Sequence, residues 1–258
     1  MNFTKRLFGG ILILLVLVGM TYFGKVSLTI GFTIFSLIGI HEICNAFANI
    51  GINPPRGLLY VCNLAIMLSG GFLSVDLFAL SIILSSVAVL ALMLFSKDRR
   101  LEDVFASTFI LSYISLLMSS ILRIGDIWYV WPLYITAWGS DTFAYLTGSL
   151  FGKNKIEAIT HISPNKTIEG FVGGILGAVI LNLLYFKYSS LDVNIIYVVI
   201  FAAMGAVLSQ MGDLVASFLK RKTGIKDFGK LIPGHGGVLD RFDSMIFIGP
   251  LFYLLSII

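Results

Sequence analysis

The polar chemistry of this sequence is concentrated in one stretch, residues 226–244, with the sequence KDFGKLIPGHGGVLDRFDS. The stretch contains three acidic residues, three basic residues, one histidine, one proline and four glycines. Basic side chains neutralise phosphates, and carboxylates suit Mg²⁺, which completes its coordination shell with water and substrate phosphates. These residue types therefore predict a site that handles a polyphosphate together with a metal ion.

The glycines of this stretch predict a backbone that a ligand can approach. Gly236 and Gly237 have no side chains, so backbone N–H groups there can come close to a phosphate. Pro233 and Gly234 form a turn signal that places His235 at the bend. Two roles stay open for His235, contact with a phosphate and transfer of a proton.

Four aspartates are candidates for the acidic part of the site. Asp240 and Asp243 are three residues apart, so they share one face of a helix that begins there. Asp213 and Asp141 lie inside apolar segments, where a charged group is costly in lipid and is a functional candidate by default. Asp213 lies seven residues before Lys220, roughly 10 Å inside the end of its segment, and Asp141 lies somewhat deeper in its own. Both positions suit a polar cavity that opens to water.

The segment SPNKTIEG, residues 163–170, supplies a further basic residue. Ser163 and the following proline start a turn, and Thr167 is placed to cap the next helix, with Glu169 in its first turn. A helix N-terminus attracts anions, and Lys166 strengthens that attraction. The segment therefore predicts a second anion-binding element.

One further polar pair lies inside an apolar segment, His41 and Glu42. Two interpretations of this pair stay open. The side chains satisfy each other at a helix interface, or they have a functional role.

Composition places these residues in a membrane protein. Only 12% of the 258 residues are charged and the mean hydropathy is +0.95, whereas soluble domains have about a quarter charged residues. Apolar runs near the roughly 20 residues that a membrane helix needs predict an all-α polytopic membrane protein with nine transmembrane helices. The predicted spans are 7–23, 27–50, 57–73, 75–95, 104–122, 128–151, 169–186, 194–219 and 244–258.

The distribution of positive charge predicts the orientation. With a cytoplasmic N-terminus, 15 of the 18 lysines and arginines fall on the cytoplasmic side, as the positive-inside rule requires. Residues 226–244 are then cytoplasmic. The net charge of +4 says little about nucleic acid in a membrane protein, and no nucleic-acid partner is expected. By function we divide the chain into N-terminal helices, 1–125, and a C-terminal catalytic region, 126–258.

The C-terminal motifs resemble those of the phosphatidate cytidylyltransferases, also called CDP-diacylglycerol synthases. The family pattern is Ser-x-x-Lys-Arg, Lys-Asp-x-Gly, Pro-Gly-His-Gly-Gly and Asp-Arg-x-Asp. It is filled here at Ser217, Lys220, Arg221, Lys226, Asp227, Gly229, Pro233, Gly234, His235, Gly236, Gly237, Asp240, Arg241 and Asp243. SPNKTIEG is similar to the family's Ser-Pro-Lys-Lys-Thr-x-Glu-Gly, with Asn165 in place of the first lysine.

The resemblance implies the reaction of CTP with phosphatidate to give CDP-diacylglycerol and pyrophosphate. It also implies a homodimer in the lipid bilayer of the inner (plasma) membrane, with the active site facing the cytoplasm. The expected cofactors are Mg²⁺ and a monovalent cation such as K⁺.

Roles for individual residues follow from the resemblance. Metal binding is expected at Asp213 and Asp243, with Asp240 as a third candidate, while Asp141 holds the metal or supports a residue that does. Neutralisation of substrate phosphates is expected from Lys166, Lys220, Arg221, Lys226 and Arg241. Further substrate contacts are expected at Ser163, Asp227, Gly236 and Gly237. The expected catalytic residues are Lys220, Arg221, Lys226, His235, Asp240 and Arg241.

The alternative from another class is an ion-coupled transporter that uses the buried acids as a relay. It accounts for Asp141, Asp213 and the His41-Glu42 pair, but it gives residues 226–244 no role. A transport assay and a test for pyrophosphate release distinguish the two.

Overall fold

The computed structural model describes residues 3–95, 100–232, 234 and 236–258. Within these ranges nine long helices follow one another along the chain. They are α1 (Phe3–Tyr22), α2 (Lys25–Ala48), α3 (Arg56–Phe72), α4 (Val75–Phe95), α5 (Leu101–Leu122), α6 (Val130–Phe151), α7 (Ile168–Tyr188), α8 (Ile195–Lys222) and α9 (Leu239–Leu255). A π-helical stretch, Leu111–Leu116, lies inside α5.

The all-helical prediction is confirmed for the described residues. Each of the nine predicted windows overlaps one helix, because long apolar runs without internal turn signals favour a structure that satisfies its own backbone hydrogen bonds. No strand occurs in the described ranges, where β-pairing consists of two isolated bridges, Lys155–Thr167 and Ile232–Gly236.

Five of the described helices are long and apolar enough to cross a membrane. They are α2, α4, α5, α7 and α8. This finding supports the membrane class of the protein. The count of nine spans and the orientation of the N-terminus stay predictions, and two of the lysines and arginines used for that orientation, Lys97 and Arg99, lie outside the described residues.

The chain forms two compact units. Unit 1 comprises Met1–Arg123 and Lys222–Phe242, and unit 2 comprises Ile124–Arg221 and Asp243–Ile258. Most of the stretch that carries the signature motif therefore belongs to the same unit as helices α1 to α5. The division at residue 125 made from the sequence concerns function, and it stays a prediction.

The interior of unit 1 contains a satisfied polar network. Asn63 of α3 donates from Nδ2 to the hydroxyl of Ser36 in α2 at 2.9 Å, and its Oδ1 accepts from the hydroxyl of Ser115 in α5 at 2.8 Å. Buried polar groups are costly unless they are hydrogen-bonded. The network therefore fixes the register of three helices against one another.

Unit 2 is organised by close packing of α6 against α7. A Cβ atom added at Gly173 would collide with the side chain of Thr147, and one at Gly177 would collide with the ring of Phe143. A Cβ at Gly174 would lie 2.9 Å from the carbonyl oxygen of Ser140. The spacing of small residues in α7 therefore allows close helix packing.

Candidate active site

In unit 1, the segment between α8 and α9 forms a tight turn. We call residues 223–238 the signature loop. The N–H group of Ile232 donates to the carbonyl oxygen of Gly236 at 2.9 Å. Gly234 and Gly236 have φ angles of 79° and 92°, in the region that favours glycine. Pro233 and His235 lie outside the described residues, so both roles considered for His235 stay predictions.

Asp240 connects two parts of the signature loop that are nine positions apart in the sequence. Its Oδ2 atom accepts hydrogen bonds from the N–H groups of Phe228 at 2.8 Å and Gly237 at 2.9 Å, and the residue is 5% exposed. A Cβ atom at Gly236 would lie only 2.8 Å from the same oxygen. The carboxylate therefore holds the backbone of the loop, and its role as a metal ligand stays a prediction.

Glu42 of α2 holds the start of α9. Its Oε1 atom accepts from the N–H of Val238 at 3.0 Å, and its Oε2 atom accepts from the N–H of Leu239 at 2.8 Å. The residue is 5% exposed. The sequence identifies Glu42 as a charged residue in an apolar helix, but it does not connect Glu42 with the signature loop.

His41 and Glu42 do not satisfy each other as a pair. His41 is exposed, and its Nδ1 atom lies 3.2 Å from the hydroxyl of Tyr60. Neighbouring residues on a helix point about 100° apart, so His41 and Glu42 face different surroundings. The interpretation as a mutually satisfied pair is wrong.

Three consecutive N–H groups at the start of α9 are occupied by carboxylates of the protein. Gly237 donates to Asp240, while Val238 and Leu239 donate to Glu42. A Cβ atom at Gly237 would also collide with the carboxylate of Glu42. The structure thus gives Gly237 a packing role, and contact between this residue and substrate stays a prediction.

Cationic side chains of unit 1 face outwards from the signature loop and α9. Lys226, Lys230 and Arg241 are exposed, as is Asp227. Aromatic packing anchors α9, since the buried ring of Phe242 packs on Phe32 and Phe35 at ring-centroid distances of 6.0 and 4.6 Å. The positive charge of the loop is therefore exposed, and the helix that follows the loop is held in place by packing.

In unit 2, Lys166 and Asp213 form an ion pair. The Nζ atom of Lys166 lies 2.6 Å from Oδ2 of Asp213, and the two side chains are 25% and 35% exposed. The residues come from the segment before α7 and from the second half of α8. The structure thus brings together a predicted phosphate-binding residue and a predicted metal ligand, which stand 47 positions apart in the sequence.

The backbone around Lys166 is held on both sides. The hydroxyl of Thr167 accepts from the N–H of Gly170 at 3.1 Å, which confirms the predicted cap of α7. The carboxylate of Glu169 accepts from the side-chain amide of Asn154 at 2.8 Å. Ser163 accepts at its backbone carbonyl from the N–H of Lys166 at 3.4 Å, and its contact with substrate stays a prediction.

Asp243 is a buried carboxylate of unit 2 with other charged groups nearby. It is 7% exposed, and its Oδ1 atom accepts from the N–H of Ser244 at 2.8 Å. Asp213, Asp141 and Lys220 are close enough to interact with it electrostatically. A Cβ atom at Gly212 would collide with the carbonyl oxygen of Asp243, so α8 and α9 approach closely here.

Metal binding by the aspartates of unit 2 stays a prediction. In the described part of the chain, no three Asp, Glu, His or Cys side chains are grouped closely enough to hold a metal ion. Mg²⁺ needs only one or two protein carboxylates, because water and substrate phosphates fill the remaining positions. The donor chemistry of Asp213 and Asp243 therefore suits Mg²⁺ better than a metal that requires a complete set of protein ligands.

Comparisons with known proteins show the family. Residues 4–258 match the profile of the cytidylyltransferase family. The phosphatidate cytidylyltransferase of Staphylococcus haemolyticus is 32% identical over 262 residues, which cover 98% of each chain. That of Staphylococcus aureus is 33% identical over 263 residues, again 98% of each chain. That of Bacillus subtilis is 42% identical over 127 residues, 49% of this chain and 46% of the relative. This chain belongs to the cytidylyltransferase family.

Proposed function

We propose that this chain transfers the cytidylyl group of CTP to phosphatidate, giving CDP-diacylglycerol and pyrophosphate. The observation that carries the proposal is the similarity to phosphatidate cytidylyltransferases over 98% of both chains. The exposed cations of the signature loop and the Lys166–Asp213 ion pair of unit 2 support the proposal, since both substrates carry anionic phosphate groups.

In the proposed reaction, a phosphate oxygen of phosphatidate attacks the α-phosphorus of CTP. The bond between the α-phosphorus and the oxygen that bridges to the β-phosphate breaks, and pyrophosphate leaves in line. Direct transfer needs no covalent enzyme intermediate. The chief demand on the protein is to position two anions and to neutralise the charge between them.

Unit 2 supplies the acidic part of the proposed chemistry. Asp213 and Asp243 would hold Mg²⁺, with Asp141 in support and Asp240 of unit 1 as a further candidate. The ion would neutralise charge on the triphosphate when it is bound. Lys166 pairs with Asp213 and Lys220 interacts electrostatically with Asp243, and in this proposal both lysines would contact phosphate oxygens.

Basic residues at the end of α8 and in unit 1 supply further phosphate contacts in this proposal. Arg221, Lys226 and Arg241 are exposed. Arginine in particular matches phosphate geometry through a rigid fork of N–H donors. Substrate contacts at Asp227 and Gly236, and the part of His235, belong to the proposal through the family motif.

The proposal includes the setting of the enzyme. We place it in the inner (plasma) membrane as a homodimer, with nine spans and with the site on the cytoplasmic side. CTP then arrives from water while phosphatidate enters from the bilayer. A monovalent cation such as K⁺ accompanies Mg²⁺ in this proposal. The family match favours the enzyme over the ion-coupled transporter.

The test is a substrate assay on the purified full-length protein in detergent. With Mg²⁺ and phosphatidate present, CTP should yield equal amounts of CDP-diacylglycerol and pyrophosphate, whereas ATP, GTP and UTP should yield little product. Equal turnover of all four nucleotides, or none with CTP while vesicles containing the protein accumulate a solute, overturns the proposal.

A further inference from the structure

Glu42 is a buried carboxylate that contacts the end of the signature loop and has no role in the proposed chemistry. Glu42 comes from α2, and its two oxygens accept the N–H groups of Val238 and Leu239 at 3.0 and 2.8 Å. These N–H groups belong to the positive end of α9, where a carboxylate is stabilised by the helix dipole. Glu42 therefore fixes the point at which the loop becomes a helix.

Two glycines of the loop, Gly229 and Gly237, also lie against this carboxylate. A Cβ atom at Gly229 would collide with Oε1 of Glu42 and would lie 3.1 Å from the Cα atom of Gly237. A Cβ at Gly237 would lie 2.6 Å from the carboxylate carbon of Glu42. The two glycines leave room for the carboxylate where these parts of the loop approach each other, and a side chain at either position would displace it.

The loop that Glu42 holds and the first turn of α9 carry exposed cations. Lys226 and Lys230 lie in the loop and Arg241 lies in the first turn of α9, two residues after Leu239. Without the carboxylate, two N–H groups in a buried position would lose their acceptors, and the loop would have to rearrange to satisfy them. Lys226, Lys230 and Arg241 would then no longer hold fixed positions relative to one another.

We propose that Glu42 is a positioning residue that holds the signature loop in the conformation that binds CTP. The inference rests on the proposed function for its kinetic part only. In this proposal CTP binds the ordered loop. A variant in which only a fraction of the molecules have the ordered loop therefore has an apparent affinity for CTP that is reduced by that fraction. Saturating CTP restores that fraction, so the turnover number is largely retained.

Glu42→Gln is the main test. An amide offers one acceptor oxygen and places an NH₂ group against the second N–H donor, so one hydrogen bond is replaced by a clash of donors. We expect the KM for CTP to rise about tenfold or more, with kcat changed by less than about threefold. Amide hydrogen exchange in the peptide 228–241 should become faster in the same variant.

Two controls separate positioning from general stability. His41→Gln changes the adjacent, exposed residue and should leave KM, kcat and exchange unchanged. Asn63→Ala removes the buried network elsewhere in unit 1, and it should lower the unfolding temperature and leave the KM for CTP and exchange at 228–241 unchanged.

The exchange measurement needs no catalysis, so it distinguishes a failure of this inference from a failure of the proposed function. If Glu42→Gln is not recovered folded, Glu42→Asp, which is one methylene shorter, is measured against the same criteria. Unchanged exchange at 228–241 in the variant, rapid exchange of residues 237–239 in the wild-type protein, or a fall in kcat with unchanged KM overturns the inference.

Discussion

At the scale of single residues, the acidic groups of this protein divide into those that hold backbone and those that lie among other charged side chains. Asp240 and Glu42 belong to the first group, since within unit 1 they accept hydrogen bonds from the N–H groups of Phe228, Gly237, Val238 and Leu239. Asp213 and Asp243 of unit 2 belong to the second group. The second group is the better candidate for chemistry.

Asp243→Asn should lower kcat by about 100-fold or more, because the amide removes a negative charge at the proposed metal site while keeping the shape of the side chain. The measurement is pyrophosphate release at saturating CTP and Mg²⁺. Asp192→Asn, an exposed aspartate of the same unit, is the matched control and should keep wild-type turnover. Near-normal turnover of folded Asp243→Asn would refute the metal assignment.

Lys166→Met should reduce kcat/KM for CTP by about 10- to 100-fold, because it removes the cation 2.6 Å from Asp213 and leaves the apolar stem. Lys155→Met, on the other side of the same connection and exposed, is the control and should stay within about threefold of wild type. Equal losses in the two variants would show that the connection needs positive charge in general and not Lys166.

At the scale of elements, the helices of unit 2 approach closely because glycines line one side of α7. Gly173 and Gly177 leave no room for a Cβ atom against α6. The same approach places the start of α7 beside Gly148 of α6, where a Cβ would lie 3.2 Å from the Thr167 hydroxyl. The segment that carries Lys166 is thus positioned by helix packing as well as by its own cap.

Gly177→Val should destabilise the protein by about 1–3 kcal/mol, because the added atoms overlap the ring of Phe143. The free energy of unfolding in mixed detergent micelles measures the effect. Gly19→Val in α1 is the control, since a Cβ atom added there would have no neighbouring atom within 4 Å. Equal stability of the two variants would contradict the packing role of the α7 glycines.

At the scale of the whole molecule, the sequence predicts a chain held in a bilayer with its basic residues on one side. Five of the described helices satisfy the length and apolarity of a membrane span. Fifteen of 18 lysines and arginines fall on the side predicted to be cytoplasmic. In this topology, the signature loop and the connection that carries Lys166 both face the water that supplies CTP.

A cysteine-labelling experiment tests this orientation. In a background without the two buried native cysteines, Cys44 and Cys62, Ser190→Cys should react with an impermeant maleimide in intact cells. Lys230→Cys should react only in inverted vesicles or after permeabilisation, because it follows α8 on the opposite side of the membrane. Labelling of Lys230→Cys in intact cells would overturn the predicted topology.

The helices and several site residues could be predicted from the sequence, because they depend on local properties. Apolar runs of nearly constant length indicate helices, and a threonine before Ile168 indicates a helix cap. An aspartate within an apolar run is a functional candidate because a charged group is costly in lipid. Lys166 and Asp213 are each identified in this way, and the structure joins them in one ion pair.

The contacts of Glu42 were decided only by the tertiary structure. Glu42 and Val238 are 196 positions apart, and no spacing rule connects an acid in α2 with N–H groups at the start of α9. The same contact changes the interpretation of Gly237, whose missing side chain makes room for a carboxylate of the protein. Residue types indicate which groups are costly to bury, but only the packed fold determines which backbone groups satisfy them.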